Sequence, residues 1–137
     1  NIEKALAQNP TLFPAKFNLA ATESRLGNVD KSNLLVEELL ALSPQHNETL
    51  MLKAFNLSKA GNLEEAKQIY LDILTLTPSN TGARERVSSL YQQQGDTKNA
   101  LYHLDLLIKD DFDNADYLLR KAALQLEAGQ RAMQKKR

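Results

Sequence analysis

His46 and His103 are the only histidines in this sequence of 137 residues, and they are the side chains whose ordinary pKa lies closest to neutrality. Neither has a second His at a metal-ligand spacing, so both read as solvated or half-buried imidazoles rather than as ligands. The run Asp110-Asp111-Phe112-Asp113-Asn114-Ala115-Asp116 gathers oxygen ligands, but it lacks the Gly and the terminal bidentate Glu of a calcium-binding loop. It reads instead as the cap and favourable N-terminal charge of the following helix. The chain has no Cys, which removes disulfides, thiolate nucleophiles and zinc–thiolate sites. A Gly-rich phosphate loop, a nucleophile elbow and a partnered carboxylate pair are also missing, so the residues argue against catalysis and call for neither cofactor nor metal. Lys135-Lys136-Arg137, with Arg131, reads as the solvated end of a helix.

The elements around these residues follow a strict period. Gly27, Gly61, Gly95 and Gly129 stand 34 residues apart, and Pro10, Pro44 and Pro78 keep the same interval. A unit of this size holds two short helices and their turns but cannot bury a core alone, so it must stack on copies of itself. The period divides the chain into repeats at 13–46, 47–80 and 81–114. Residues 1–12 supply the second helix of a preceding repeat, and 115–137 a partial or capping repeat. Each Gly ends a first helix, and the Asn28, Asn62 and Asp96 that follow are residues that cap the next one. Phe112 stands where a fourth in-phase Pro would fall, which predicts a turn held differently there. In the second helices, Val36-Leu39-Leu40, Tyr70-Ile73-Leu74 and Leu104-Leu107-Ile108 form one core stripe repeated three times. Ala66 and Ala100, with Ser32 in the matching slot, are small enough for two helices to approach closely.

With 17 basic and 17 acidic side chains the net charge is zero, which argues against broad attachment to nucleic acid or an acidic membrane. No apolar stretch reaches the roughly 20 residues needed to insert across a bilayer. A start at Asn1 without Met reads as an excised segment.

The second unit, with Leu50, Ala54, Leu57, Gly61-Asn62-Leu63-Glu64-Glu65-Ala66, Tyr70 and Pro78, resembles the tetratricopeptide-repeat family, and the likeness spans nearly the whole chain. The pattern breaks at Lys16, Glu23, Lys53 and Arg84, which occupy aromatic or Leu slots. The resemblance implies an all-α, right-handed superhelical solenoid of antiparallel helix pairs, with the first helices lining a concave groove. The stretch Asn9-Pro10 through Pro14-Ala15, with Asn18-Leu19-Ala20, is also similar to bacterial arrays of exported lipoproteins associated with exopolysaccharide secretion and protein sorting. That likeness implies a periplasmic or membrane-tethered exported location, the cytoplasm being the alternative.

The groove positions recur ten, six and three residues before each Gly. Together with the neighbouring residues nine before each Gly, they give Phe17, Ala21, Met51, Leu52, Phe55, Glu85, Arg86, Gln92, Leu119 and Arg120 as the candidate peptide-binding residues. Phe17, Met51 and Phe55 would form an apolar docking patch, and Arg86 with Arg120 a small basic spot. The carboxylate clamp of heat-shock co-chaperones would need Lys, Asn and Arg at positions that here hold Phe17, Ala21, Leu52, Gly82 and Arg86, so that ligand class is disfavoured. The Asn ladder of the protein-glycosylating transferase survives only at Asn18. The expected function is a scaffold that binds a protein or peptide partner. The alternative is a structural spacer or self-association segment of a larger secretion or enzyme assembly, joined through its terminal repeats.

Overall fold

The computed structural model describes residues 12–135. The second helix expected over 1–12 lies outside them except for Leu12, as do Asn9-Pro10, Lys136 and Arg137. The described residues form helices α1 (Leu12–Arg25), α2 (Val29–Leu42), α3 (Asn47–Lys59), α4 (Leu63–Leu76), α5 (Thr81–Gln93), α6 (Thr97–Asp110) and α7 (Ala115–Lys135), with no strand among them. They fall into two compact units, divided between Ile69 and Tyr70 within α4.

Glycine geometry explains the hairpins. Gly27, Gly61 and Gly95 have φ of 88°, 89° and 79°, the left-handed region that costs other residues a Cβ clash. The same pair of backbone bonds closes each turn. Gly27 N–H donates to Ser24 and Asn28 N–H to Glu23, at 3.1 and 2.8 Å, and the turns at Gly61 and Gly95 repeat this. Asp96 then caps α6 by accepting from Asn99 N–H at 3.2 Å. Asn28 does not cap α2 as its residue type suggested, because its carboxamide donates to Glu23 at 2.9 Å instead.

Two expectations are corrected. The Phe112 turn is held like the Pro turns: Asp111 N–H donates to Leu107 and Asn114 N–H to Asp111, matching Ser43 to Leu39 and His46 to Ser43. These bonds involve only the flanking residues, so the missing Pro removes no contact and Phe112 projects into solvent. Gly129, although in phase, is no turn, and α7 runs straight through it to Lys135. Gln130 stands where Asn or Asp follows the other glycines, and Arg131 anchors the continuing helix by donating to Gly95 carbonyl at 2.8 Å and Thr97 Oγ1 at 2.9 Å.

In the first unit α1 and α2 run antiparallel, as Lys16 meets Glu38 while Ala20 meets Ser32. Ala20, Val36 and Leu39 are the core, with Phe13, Phe17, Leu35, Leu40 and Leu52 packed against it. In the second unit Ala100, Leu104, Leu107, Tyr117 and Leu124 join α6 to α7, with Tyr91, Leu101 and Ile108 at their edge. The small slots bring helix backbones within reach of a hydroxyl. Ser32 Oγ donates to Ala20 carbonyl at 2.8 Å, and Ser88 Oγ donates to Ala100 carbonyl at 2.9 Å, with serine and alanine exchanged between the helices.

The departures from the repeat pattern are paired. Lys16 meets Glu38 at 2.6 Å and Lys53 meets Glu37 at 3.1 Å. Lys121 and Asp105, in the same repeat positions as Lys53 and Glu37, meet at 2.8 Å. Such partly exposed pairs contribute about 0–1 kcal/mol each, so they set register more than stability.

Candidate protein-interaction site

The candidate groove residues occur in both units, and each set takes its place from the helix that carries it. In the first unit Phe17 and Ala21 lie on α1, and Met51, Leu52 and Phe55 on α3, all half-buried. Phe17 and Leu52 also pack on the α1–α2 core, so part of their surface is already used. His46 caps α3 by accepting Thr49 N–H at 3.3 Å, and its ring meets Phe13 edge-on at 5.1 Å and Phe17 at 5.9 Å. The histidine therefore serves as helix cap and aromatic wall beside a cleft that Phe13, Phe17, Asn18 and Glu48 help to line. The Lys59 ammonium stands 4.8 Å from the centroid of Phe55 and donates to Ser24 carbonyl at 3.2 Å. It brings positive charge to the carbonyl end of α1 and over the Phe55 ring of the patch.

Beneath this surface lies a polar network. Asn56 is 1% exposed. Its Oδ1 accepts from Ser24 Oγ at 2.7 Å, while its Nδ2 donates to Ser32 Oγ at 2.9 Å and Asn33 Oδ1 at 3.0 Å. Three helices thus share one buried amide. In the repeat register Asn56 stands where Leu90 and Leu124 fill the core. Sequence reading passed over it; the available signal was an Asn in a Leu slot with Ser24 and Ser32 at matching positions.

In the second unit Glu85 accepts the Tyr117 hydroxyl at 2.5 Å, tying α5 to α7. That bond, with burial adding to it, pushes the phenol up to about 12. Glu85 is therefore committed within the chain. Arg86, Leu119 and Arg120 are exposed and Gln92 is half-buried. His103 is buried rather than solvated, stacked on Tyr91 at 5.7 Å and edge-on to Tyr102 at 5.1 Å. Arg84 lies 3.0 Å from its Nδ1 and also donates to Pro78 carbonyl, which explains an arginine in an apolar slot. A guanidinium only donates, so Nδ1 accepts and the imidazole is neutral. Burial, and then Arg84, hold its pKa below 6.5. The unfolded chain therefore takes up this proton first as pH falls, and stability is lost on descending below about 6.5. Urea midpoints between about pH 7 and pH 5 should fall for the native chain, and the slope should flatten in His103→Gln. An unchanged slope would remove His103 as its source.

Asn114 caps α7 by accepting from Tyr117 N–H at 3.2 Å and is itself held by Asp111 at 3.0 Å. The acidic run thus performs the capping its sequence suggested. Among the described residues no group of three His, Asp or Glu side chains is placed to hold a metal ion, and no helix is long and apolar enough to cross a membrane.

No family model matches the chain. It is similar to TTL4, a TPR repeat-containing thioredoxin of Arabidopsis thaliana, at 34% identity over 80 residues, which is 58% of this chain and 12% of that protein. Among solved structures, a tetratricopeptide repeat protein from Parabacteroides merdae aligns with a TM-score of 0.79 at 20% identity, covering 93% of this chain and 51% of that one. MamA from Desulfovibrio magneticus RS-1 aligns with a TM-score of 0.75 at 13% identity, covering 85% and 66%. The helical architecture is that of these structures.

Proposed function

We propose that this chain, a tetratricopeptide-repeat protein, is a non-catalytic scaffold that takes an apolar side chain of a partner peptide or helix at Met51 and Phe55. The supporting observation is that these two half-buried residues, one turn apart on α3, are not among those packed on the α1–α2 core, whereas the equally half-buried Phe17 and Leu52 are. A methionine beside an aromatic ring adapts to differently shaped anchors. Lys59, whose ammonium lies over the Phe55 ring, favours an acidic residue next to the anchor. The relative's name joins such repeats to a thioredoxin, but this cysteine-free chain supplies no thiol chemistry of its own.

Peptides recovered by display selection on the immobilised chain test the reading. Phe55→Ser should weaken their binding by about thirtyfold, the loss of one buried anchor contact, with the helical signal retained. Equal affinity for the variant would rule out this site. Self-association is a second reading, favoured by the exposed apolar face of α7.

A further inference from the structure

α7 is apolar on two opposite faces. One face carries Tyr117 and Leu124 into the core, and the charged side chains beside it are engaged, Lys121 with Asp105 and Arg131 with Gly95 and Thr97. The other face carries Ala115, Leu119, Ala122, Leu126, Gly129 and Met133 at alternating spacings of four and three, the seam of a two-helix contact. All six are exposed, Leu119 by 68% and Leu126 and Met133 by 64%. Ala122 is bare even though Ala20, Ala54 and Ser88, in the same repeat position, are buried. In the earlier repeats the second helix covers that position, as the bonds of Ser32 to Ala20 and Ser88 to Ala100 show. Because α7 runs through Gly129, residues 129–135 do not fold back to cover it.

We infer that a second copy of this chain covers this face, its α7 antiparallel to the first. The seam reads small, large, small, large, small, large, and is therefore complementary to its own reverse. In the antiparallel register Ala115 faces Met133, Leu119 faces Gly129 and Ala122 faces Leu126, and the two-fold axis repeats each layer. Every large side chain enters the space left by a small one, which lets the two helices approach closely. A parallel pairing would instead oppose Leu to Leu and leave gaps between the alanines. Of the flanking Asp116, Leu118, Ala123, Gln125, Gln130 and Ala132, Asp116 alone is charged, and in this register it lies opposite the stretch from Gln130 to Ala132, so no like charges meet across the seam. The pairing takes Leu119 from the candidate groove residues but leaves the proposed anchor site untouched, because it uses neither Met51 nor Phe55.

Sedimentation of the chain from about 5 to about 500 µM should show a concentration-dependent monomer–dimer equilibrium. Leu126→Lys, an exposed substitution, should raise the dissociation constant more than tenfold while leaving the helical signal unchanged. The absence of native cysteine allows the register to be tested by oxidation. A Cβ at Gly129 meets nothing within 4 Å, so Gly129→Cys is accommodated. The double variant Leu119→Cys with Gly129→Cys should form a covalent dimer. Each single variant should not, because its thiols would sit roughly 15 Å apart along the axis, beyond disulfide reach. A monomer at all concentrations, a dimer unaffected by Leu126→Lys, or cross-linking by the single variants would each overturn the proposal.

Discussion

Replacing Asn56 with Ala should cost about 3 kcal/mol of folding stability, read as a lower urea midpoint by circular dichroism. The amide is buried and joins Ser24 on α1, Ser32 and Asn33 on α2, and its own helix α3. Its removal leaves the buried Ser24 hydroxyl without its acceptor and opens a void between helices, and the two costs add. Asn56→Leu restores the residue type of Leu90 and Leu124 and fills the void, but still leaves the buried Ser24 hydroxyl without its acceptor, so about 2 kcal/mol should remain lost. Adding Ser24→Ala to that variant removes the orphan and should return stability to near the native value, with Ser32 still bonded to Ala20 carbonyl. If Asn56→Leu alone is as stable as the native chain, the network does not hold the first unit together.

Ala100→Leu should cost about 2–3 kcal/mol by overpacking. Ala100 is fully buried, and its carbonyl accepts the Ser88 hydroxyl at 2.9 Å, a contact that spreading α5 from α6 would break. Ala41→Leu is the control. Ala41 is exposed on α2, outside the α7 seam, and the same added bulk should shift stability by less than about 0.5 kcal/mol. Equal losses in the two variants would mean that helix propensity, rather than the close approach of α5 and α6, sets the effect.

These sites show which parts of the molecule are legible in the sequence. The core stripes and the three glycine turns can be read directly, because a helical period and a left-handed backbone each demand particular residues at fixed intervals. Gly129 misleads because glycine permits a turn without enforcing one, and the outcome rests on Gln130 failing to cap and on Arg131 gripping the Gly95 turn. The Phe112 turn misleads the other way, since the bonds that close it belong to its neighbours. Lys16, Lys53 and Arg84 look like defects until their partners Glu38, Glu37 and His103 are brought across from adjoining helices. The α7 seam is fully present in the sequence as an alternation of small and large residues. Only its exposure separates it from a core stripe. Of the candidate groove, Glu85 is committed to Tyr117, and Phe17 and Leu52 are shared with the core.

The chain has two methionines, one on each proposed surface: Met51 beside Phe55, and Met133 at the end of the α7 seam. Methyl spectra of the protein labelled at both therefore test the division of labour directly. Adding a selected peptide should move the Met51 signal and leave Met133 in place, whereas dilution should move Met133 and leave Met51. A Met51 signal that stays fixed at saturating peptide would contradict the account.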